Sequence, residues 1–441
     1  MTQAFDTVFH SGDVVLPGGV TQIDIGVRNG RIAAIGNLGA APAAERVNLK
    51  GLTVLPGVID SQVHFREPGS EYKEDLESGT RGAVLGGVTS ILEMPNTRPS
   101  TLTPEALAYK MQRAEGRTWC DYGFFMGAAA ENAELLGTLE RLPGCVGVKI
   151  FMGSSTGSLL VPDDTTLDTV MRHINRRCAV HAEDEPRLLE RKHLAEAAAH
   201  PRAHPVWRDE EVCLKATQRL IAAARRYHKR VHVLHITTAE EMAFLEHHKD
   251  IATVEILPQH LFFSAPECYE RLGTYAQMNP PIREQRHQDA LWAALRQGLV
   301  DVIASDHAPH THEEKAHVYP ASHSGLTGVQ TLLPLLLNFV AQGKLSLLHL
   351  VDLVSAGPAR VYGLARKGRV ALGYDADFSI VDLARRETIQ NSWIASKVGW
   401  TAYDGLSVTG WPVHTVVRGQ FAVREGALVG TSPLGTAIEY F

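Results

Sequence analysis

"DSQVHFREPG", residues 60–69, closes an apolar run that reads as a buried strand. The two-residue period of a strand puts Asp60, Gln62 and His64 on one face, and Arg66 continues it. A carboxylate, an imidazole and a guanidinium are thus gathered where a strand stops. Further apolar runs follow: "TSILEMPN" (89–96), "CVGVKIFMG" (145–153), "RCAVHAED" (177–184), "RVHVLHIT" (230–237), "ATVEILPQH" (252–260) and "VDVIASDHAP" (300–309). Helical patterns fall between them, at 104–116, 186–199, 209–228, 239–248 and 285–297. Repeated βα units argue for a parallel sheet covered on both faces. Six to eight such units over about 310 residues suit a (β/α)8 TIM-type barrel of the α/β class. A doubly wound open sheet is the alternative, disfavoured because no Gly-rich phosphate turn follows the first strand.

His64, Lys149, His181, His235 and Asp306 each sit at or near the end of a different apolar run. In a barrel those ends converge on one mouth, where active sites form. The two ends of the chain differ in texture. Residues 1–54 and 365–441 read as short strands with turns, among them "DIGVRNGRIAAIG" and "VHTVVRGQFAVREG". Either set alone has too few strands to bury a core. The expected organisation is one β-sandwich domain built from both termini, flanking a barrel over 55–364.

The 441 residues are 44% hydrophobic and 21% charged, with a formal net charge of -6. That balance suits a globular chain and gives no reason to expect a nucleic-acid partner. The apolar run 332–340 is too short to span a bilayer, so no membrane role is expected. No signal peptide is read at the start. Five scattered cysteines without a CxxC pair argue for free thiols and a cytoplasmic setting.

In "VGVKIF", Val146, Val148 and Ile150 should share the face toward the helices, turning Lys149 into the barrel. Two readings of Lys149 stand. It is ion-paired at the mouth, or it is neutral and able to take up carbon dioxide as a carbamate, an anionic oxygen ligand that bridges metals. His181 and His235 offer imidazole nitrogens suited to zinc. His232 and His235 are three apart, so only one should face inward; His235 is nearer the strand end, and His232 is expected to pack under a helix. Asp306 is either a turn or cap residue, or a metal ligand and general base. His64 is the ligand candidate of the opening stretch. Arg66 is a donor fork fit for a substrate carboxylate. Asn96 and Asn279 are either turn residues beside proline or amide donors to substrate. The segment 310–325, with no clear period, reads as a mobile loop whose histidines, His310 apart, are solvated.

"PGVIDSQVHFREPG", "GGVTSILEMPNTRP", "KIFMGSSTG", "HAED", "LHIT", "NPPIR" and "SDHAPH", in this order, resemble the dihydroorotase branch of the amidohydrolase superfamily, and "GRVALGYDADFSIVD" resembles its flanking β-domain. The resemblance implies reversible cyclisation of N-carbamoyl-L-aspartate to L-dihydroorotate, a step of pyrimidine synthesis. It implies that Lys149 is a carboxylated bridging lysine, that His181 and His235 hold one zinc, and that His64 and Asp306 hold another. It further implies that Arg66, Asn96 and His310 bind the substrate carboxylate and Asn279 the ring, in a homodimer.

One departure stands out. The family's His-x-His is here Gln62-Val63-His64. An amide oxygen is a weaker zinc ligand than imidazole, so one tightly bound zinc is expected and a second is weakened. Three rivals share parts of this reading: a hydantoinase (dihydropyrimidinase) or allantoinase; a catalytically weak scaffold for aspartate transcarbamoylase; and a structural zinc module, against which the ligands' spread over the chain counts.

Overall fold

The computed structural model describes residues 4–154 and 159–441. The end of "KIFMGSSTG", from residue 155, lies outside the described residues. Eight parallel strands run in strictly sequential order: Val58–Val63, Val88–Glu93, Asp121–Gly127, Cys145–Phe151, Cys178–His181, Val231–Val233, Ala252–Ile256 and Val302–Ile303. They are called first to eighth below. The first and eighth meet through a parallel bridge between Val63 and His307. The His64 amide donates to the His307 carbonyl at 2.7 Å, and Asp60 Oδ1 accepts from the Ser305 amide at 3.0 Å. This is the barrel expected from the alternating runs.

Period 2 sorts the strands' side chains. Val88, Ile91, Phe124, Val148, Val180, Val231 and Val254 belong to the cluster packed against the helices. Ile59, Leu92, Phe125, Ala179 and Val302 belong to the inner cluster. The third strand, "DYGFFMG", was not among the runs read as strands, because its glycines interrupt the apolar pattern. Gly123 is glycine for a spatial reason: a Cβ there would lie 1.9 Å from the Tyr440 hydroxyl.

The expected helices form within a few residues of their predicted limits, for example Pro104–Ala114, Glu185–Ala198 and Glu210–Arg226. Asp209 caps the last of these by accepting from the Val212 amide, and its first turn is acidic and its last basic, as the helix dipole favours. The apolar run near 332–340 is the helix Leu332–Ala341, buried against the barrel. Among the described residues, no helix is long and apolar enough to cross a membrane.

Strands from both ends of the chain make the flanking sheets. Arg31–Gly36, Asp24–Arg28, Phe5–His10 and Ala43–Asn48 form one. The other joins Gly19–Gln22, Asp13–Leu16 and Thr53–Pro56 to Phe378–Thr388, Ser407–Val417, Gln420–Arg424 and Ala427–Leu428. The seam is antiparallel, with Phe378 opposite Pro56. Asn29 and Gly30 both have positive φ, 51° and 72°, the backbone of a tight hairpin turn. Phe9, Ile25, Val54, Phe378 and Val416 fill the space between the sheets.

Barrel and sheets are locked by a buried ionic knot. The Lys367 ammonium lies 2.6 Å from carboxylate oxygens of both Asp121 and Asp377 and 3.1 Å from Asp375. Arg418 also binds Asp121, on the third strand. Removing one partner from such a knot strands the others in low dielectric, at about 3–5 kcal/mol. We therefore expect Lys367→Met to lower the denaturant midpoint substantially, measured by chemical unfolding, while Arg360→Gln, at an exposed pair, leaves it nearly unchanged.

Candidate active site

The strand ends do not present their side chains by simple alternation. Arg66, His235 and Asp306 lie in the left-handed region, with φ of 61°, 38° and 47°. Such backbone costs of order 1–3 kcal/mol per non-glycine residue and collects where function needs a side chain re-aimed. The turn at His235 explains a corrected expectation. The sixth strand stops at Val233, so counting by twos does not reach His235. Both His232 and His235 face the interior. The His232 ring is within reach of Thr253 Oγ1 (2.8 Å) and Glu255 Oε2 (3.4 Å) and meets Tyr362, the last residue of the helix Gly357–Tyr362, edge-on. Val146 is a second correction. It joins the inner cluster while Val148 and Ile150 join the outer one. Gly147, at φ 151°, sits at the register shift that switches the face.

At the mouth, His181 Nδ1 and His235 Nε2 face each other at 3.0 Å. His181 Nε2 donates to Glu183 Oε2 at 2.8 Å, which leaves the Nδ1 lone pair turned toward His235. Arg208 grips Glu183 from the other side through its Nε (2.9 Å) and Nη2. Burial alone would raise the Glu183 carboxyl; Arg208 and His181 outweigh it and hold Glu183 well below the usual carboxylate range.

Lys149 is fully buried on the fourth strand, and its amine has no hydrogen-bond partner among the described residues. Burial presses it down to about 7, against a partial upward pull from Asp306 and Glu255. Its charge acts on His64, His181, His235 and Asp306 alike, so the five residues expected at the mouth share one electrostatic neighbourhood. Asp306 Oδ1 accepts from His64 Nε2 (3.2 Å) and from Gln62 Nε2 (3.0 Å). Burial raises Asp306, but His64, His235 and Lys149 together keep it ionised. The other His64 nitrogen lies 2.8 Å from the Asn96 amide oxygen.

The Arg66 guanidinium is buried. Its Nε donates to the Pro309 carbonyl (3.2 Å) and its Nη2 lies 3.2 Å from His310 Nε2. Burial lowers it to about 10, partly offset by Asp306 and Glu314. Among the described residues no carboxylate is within salt-bridge distance of it. His310 is held in turn by Lys73 and Glu314, each 3.2 Å from Nδ1, and Lys73 and Glu314 pair at 2.7 Å. The Asn279 side chain meets His204 Nε2 at 2.8 Å and lines a cleft of about 450 Å3 with Lys73, Arg98, Trp207 and Arg208.

The segment 310–325 is not a structureless loop. It holds a capped helix, His312–Ala316, and the buried Lys315 ammonium donates to the carbonyls of Gln277, His323 and Gly325. His312 and His317 are exposed as expected, but His323 packs on His310 at 4.9 Å.

Several neighbours were missed from sequence. Glu183 stands inside "HAED" and could have been found as an acid two residues past a ligand candidate. Arg208, Lys73, Glu314 and His204 lie on helices and loops whose approach no period announces. Among the described residues, three other clusters of acids and histidines occur: His310/Glu314/His323, Glu210/Glu284/His287 and Asp121/Asp375/Asp377. Each already contacts a cation, Lys73, Arg286 and Lys367 respectively.

A closed parallel barrel with a lone buried amine, paired imidazoles and an ionised carboxylate at its strand ends defines a barrel hydrolase. The amidohydrolase family matches residues 53–422; the chain belongs to that family and is a cyclic amide hydrolase. It is 33% identical over 430 residues to the dihydroorotase of Methanosarcina acetivorans, covering 94% of this chain and 91% of that one. It is 32% identical over 443 residues to the allantoinase of Deinococcus radiodurans, covering 97% of each. Among solved structures, L-hydantoinase (dihydropyrimidinase) from Arthrobacter aurescens matches with a TM-score of 0.94 at 28% identity, over 98% of this chain and 99% of that one.

Glu183 titrates below its ordinary 4.5 in the folded chain. Its contribution to stability is therefore present above that value and lost as pH falls. Melting temperature should drop more steeply between roughly pH 5 and 3 in the unaltered protein than in Glu183→Gln. Equal slopes, read by scanning calorimetry, would show that this carboxylate does not carry the acid sensitivity.

Proposed function

We propose that the protein is a dihydroorotase, interconverting N-carbamoyl-L-aspartate and L-dihydroorotate in the cytoplasm. The carrying observation is Arg66, a buried guanidinium at the mouth whose hydrogen-bonding contacts are a carbonyl and an imidazole. A buried charge without a contacting counterion is costly. A substrate carboxylate compensates it in a bidentate geometry. Dihydroorotate has that carboxylate; unsubstituted hydantoin and allantoin do not. Several named dihydroorotases at 32–36% identity support the same reading.

The donor set fits a divalent metal of the zinc class. Lys149 Nζ is buried with no hydrogen-bond partner among the described residues, two imidazole nitrogens already face each other, and nitrogen and oxygen donors are those zinc prefers. Lys149 as a carbamate, His181 and His235 would hold one ion. His64 and Asp306 would hold a second, more weakly, because Gln62 turns an N–H donor toward Asp306. A metal there supplies Lewis acidity and an acidified water.

The chain's own residues do the rest. Arg66, Asn96 and His310 orient the substrate by its carboxylate, which lowers the entropic part of the barrier. Asn279 faces the ring from the cleft. Asp306, ionised at neutral pH, takes the proton of the attacking water and returns it to the departing ring nitrogen. A scaffold without catalysis would have no use for a buried amine beside paired imidazoles.

Assays with dihydroorotate, hydantoin and allantoin, with and without added zinc, test the reading; preference for either uncharged ring would overturn it. Asp306→Asn should lose about 10²–10⁴-fold in kcat while still binding substrate. Arg66→Met should raise KM about tenfold or more, and change kcat less. Lys149 loses its proton above about 7, and only the neutral amine combines with carbon dioxide. Labelled carbonate should thus give a carbamate resonance that grows as pH rises through that value and is absent from Lys149→Ala. Elemental analysis should find more tightly held metal in Gln62→His than in the unaltered chain.

A further inference from the structure

At the end of the barrel opposite the mouth, two basic triplets meet. Asn175-Arg176-Arg177 leads into the fifth strand and His228-Lys229-Arg230 into the sixth. These strands are neighbours, and their register sets Cys178 beside Val231. Arg177 and Arg230 therefore stand side by side where the strands begin. With Arg176, Lys229, Arg360, Tyr362 and Phe441 they line a cavity of about 470 Å3; the Glu140 carboxylate lies against its wall, accepting from the backbone amides of Asn175 (2.8 Å) and Arg176 (3.2 Å).

Among the described residues, the side chains of Arg176, Arg177, Lys229 and Arg230 form no salt bridge. Arg176 donates to the Glu140 and Cys145 carbonyls at 2.9 and 3.1 Å. Arg177 donates to Thr253 Oγ1 at 2.8 Å, and Lys229 to the Ile174 carbonyl at 2.5 Å. All of these acceptors are uncharged. Arg230 is exposed, and no carboxylate is within salt-bridge distance of it among the described residues. Arg360 pairs with Asp352 at 3.2 Å. Burial, and then the charge of Arg230, press Arg177 below the usual guanidinium value against a smaller upward pull from Asp301. In a chain of net charge -6, four crowded cations whose side chains form no salt bridge among the described residues raise the free energy of the site. An anion removes that cost.

We propose that this cavity binds a small oligophosphate, of the nucleoside di- or triphosphate class, with the forked guanidiniums of Arg177 and Arg230 gripping the phosphates. The recess has the volume of a small-molecule site, which favours a compact ligand over an acidic protein surface. Planar guanidiniums match phosphate geometry. Tyr362 closes the inner wall.

The test is isothermal titration calorimetry on the full chain, with inorganic triphosphate as the probe. We expect one saturable event that weakens as salt rises. It should weaken about tenfold or more in Arg230→Glu, and likewise in the milder Arg230→Gln. It should persist in Arg66→Met, which empties the mouth of its buried guanidinium. Melting curves check that the variants fold. Tighter binding of a nucleoside triphosphate than of inorganic triphosphate supports a nucleotide ligand; equal binding supports an oligophosphate without base recognition. The proposal falls if no saturable heat appears at low ionic strength. It also falls if Arg66→Met rather than the Arg230 variants abolishes binding, or if polyglutamate binds more tightly than triphosphate. None of these outcomes depends on which cyclic amide the mouth hydrolyses.

Discussion

The cost of keeping Lys149 in a dry interior without a counterion organises the end of the barrel around it. A lysine at the surface would be a charged, solvated tether. On the fourth strand, with no hydrogen-bond partner among the described residues, its amine is pressed down to about 7. That condition needs walls on all sides. Eight strands in sequential order supply them, and the contacts of Asp60 and His64 with Ser305 and His307 close the ring. Around the amine, charge is graded. Glu183 stays ionised because Arg208 holds it, and Asp306 because His64, His235 and Lys149 do. Deeper in the barrel, burial lifts Glu255 to about 8 and Asp60 to about 7, so the layer beneath the mouth carries little negative charge.

The flanking sheets are bound to this arrangement rather than hung beside it. Asp121 belongs to a barrel strand, while Asp377 and Arg418 belong to the segment that enters and crosses the terminal sheet. Lys367 joins them at hydrogen-bond distance. Separating the two parts would take Asp121 from both Lys367 and Arg418, so the knot couples barrel and sheets.

Much of this was legible in the residues, and the failures have local causes. The alternation of apolar runs with helical patterns led to the barrel because each strand is buried on both faces. The five chemistry-bearing residues were found because each follows an apolar run. The third strand was passed over because its glycines, one of them making room for Tyr440, break the apolar signal. His232 and Val146 were assigned to the wrong side because a two-residue period assumes an unbroken strand. One strand ends early at Val233 and the other carries a bulge at Gly147. Arg208, Lys73 and Glu314 were invisible because their roles arise from tertiary approach of loops and helices, which no spacing records.

The left-handed backbone at His235 and Asp306 constrains how these positions can be dissected. Asparagine and aspartate tolerate that conformation, whereas valine, isoleucine and threonine do not. An asparagine at 235 or 306 changes the donor atoms and leaves the main chain at ease. A β-branched replacement confounds lost ligation with a twisted peptide. Natural variation at these two sites should therefore run through short polar side chains before it reaches apolar ones.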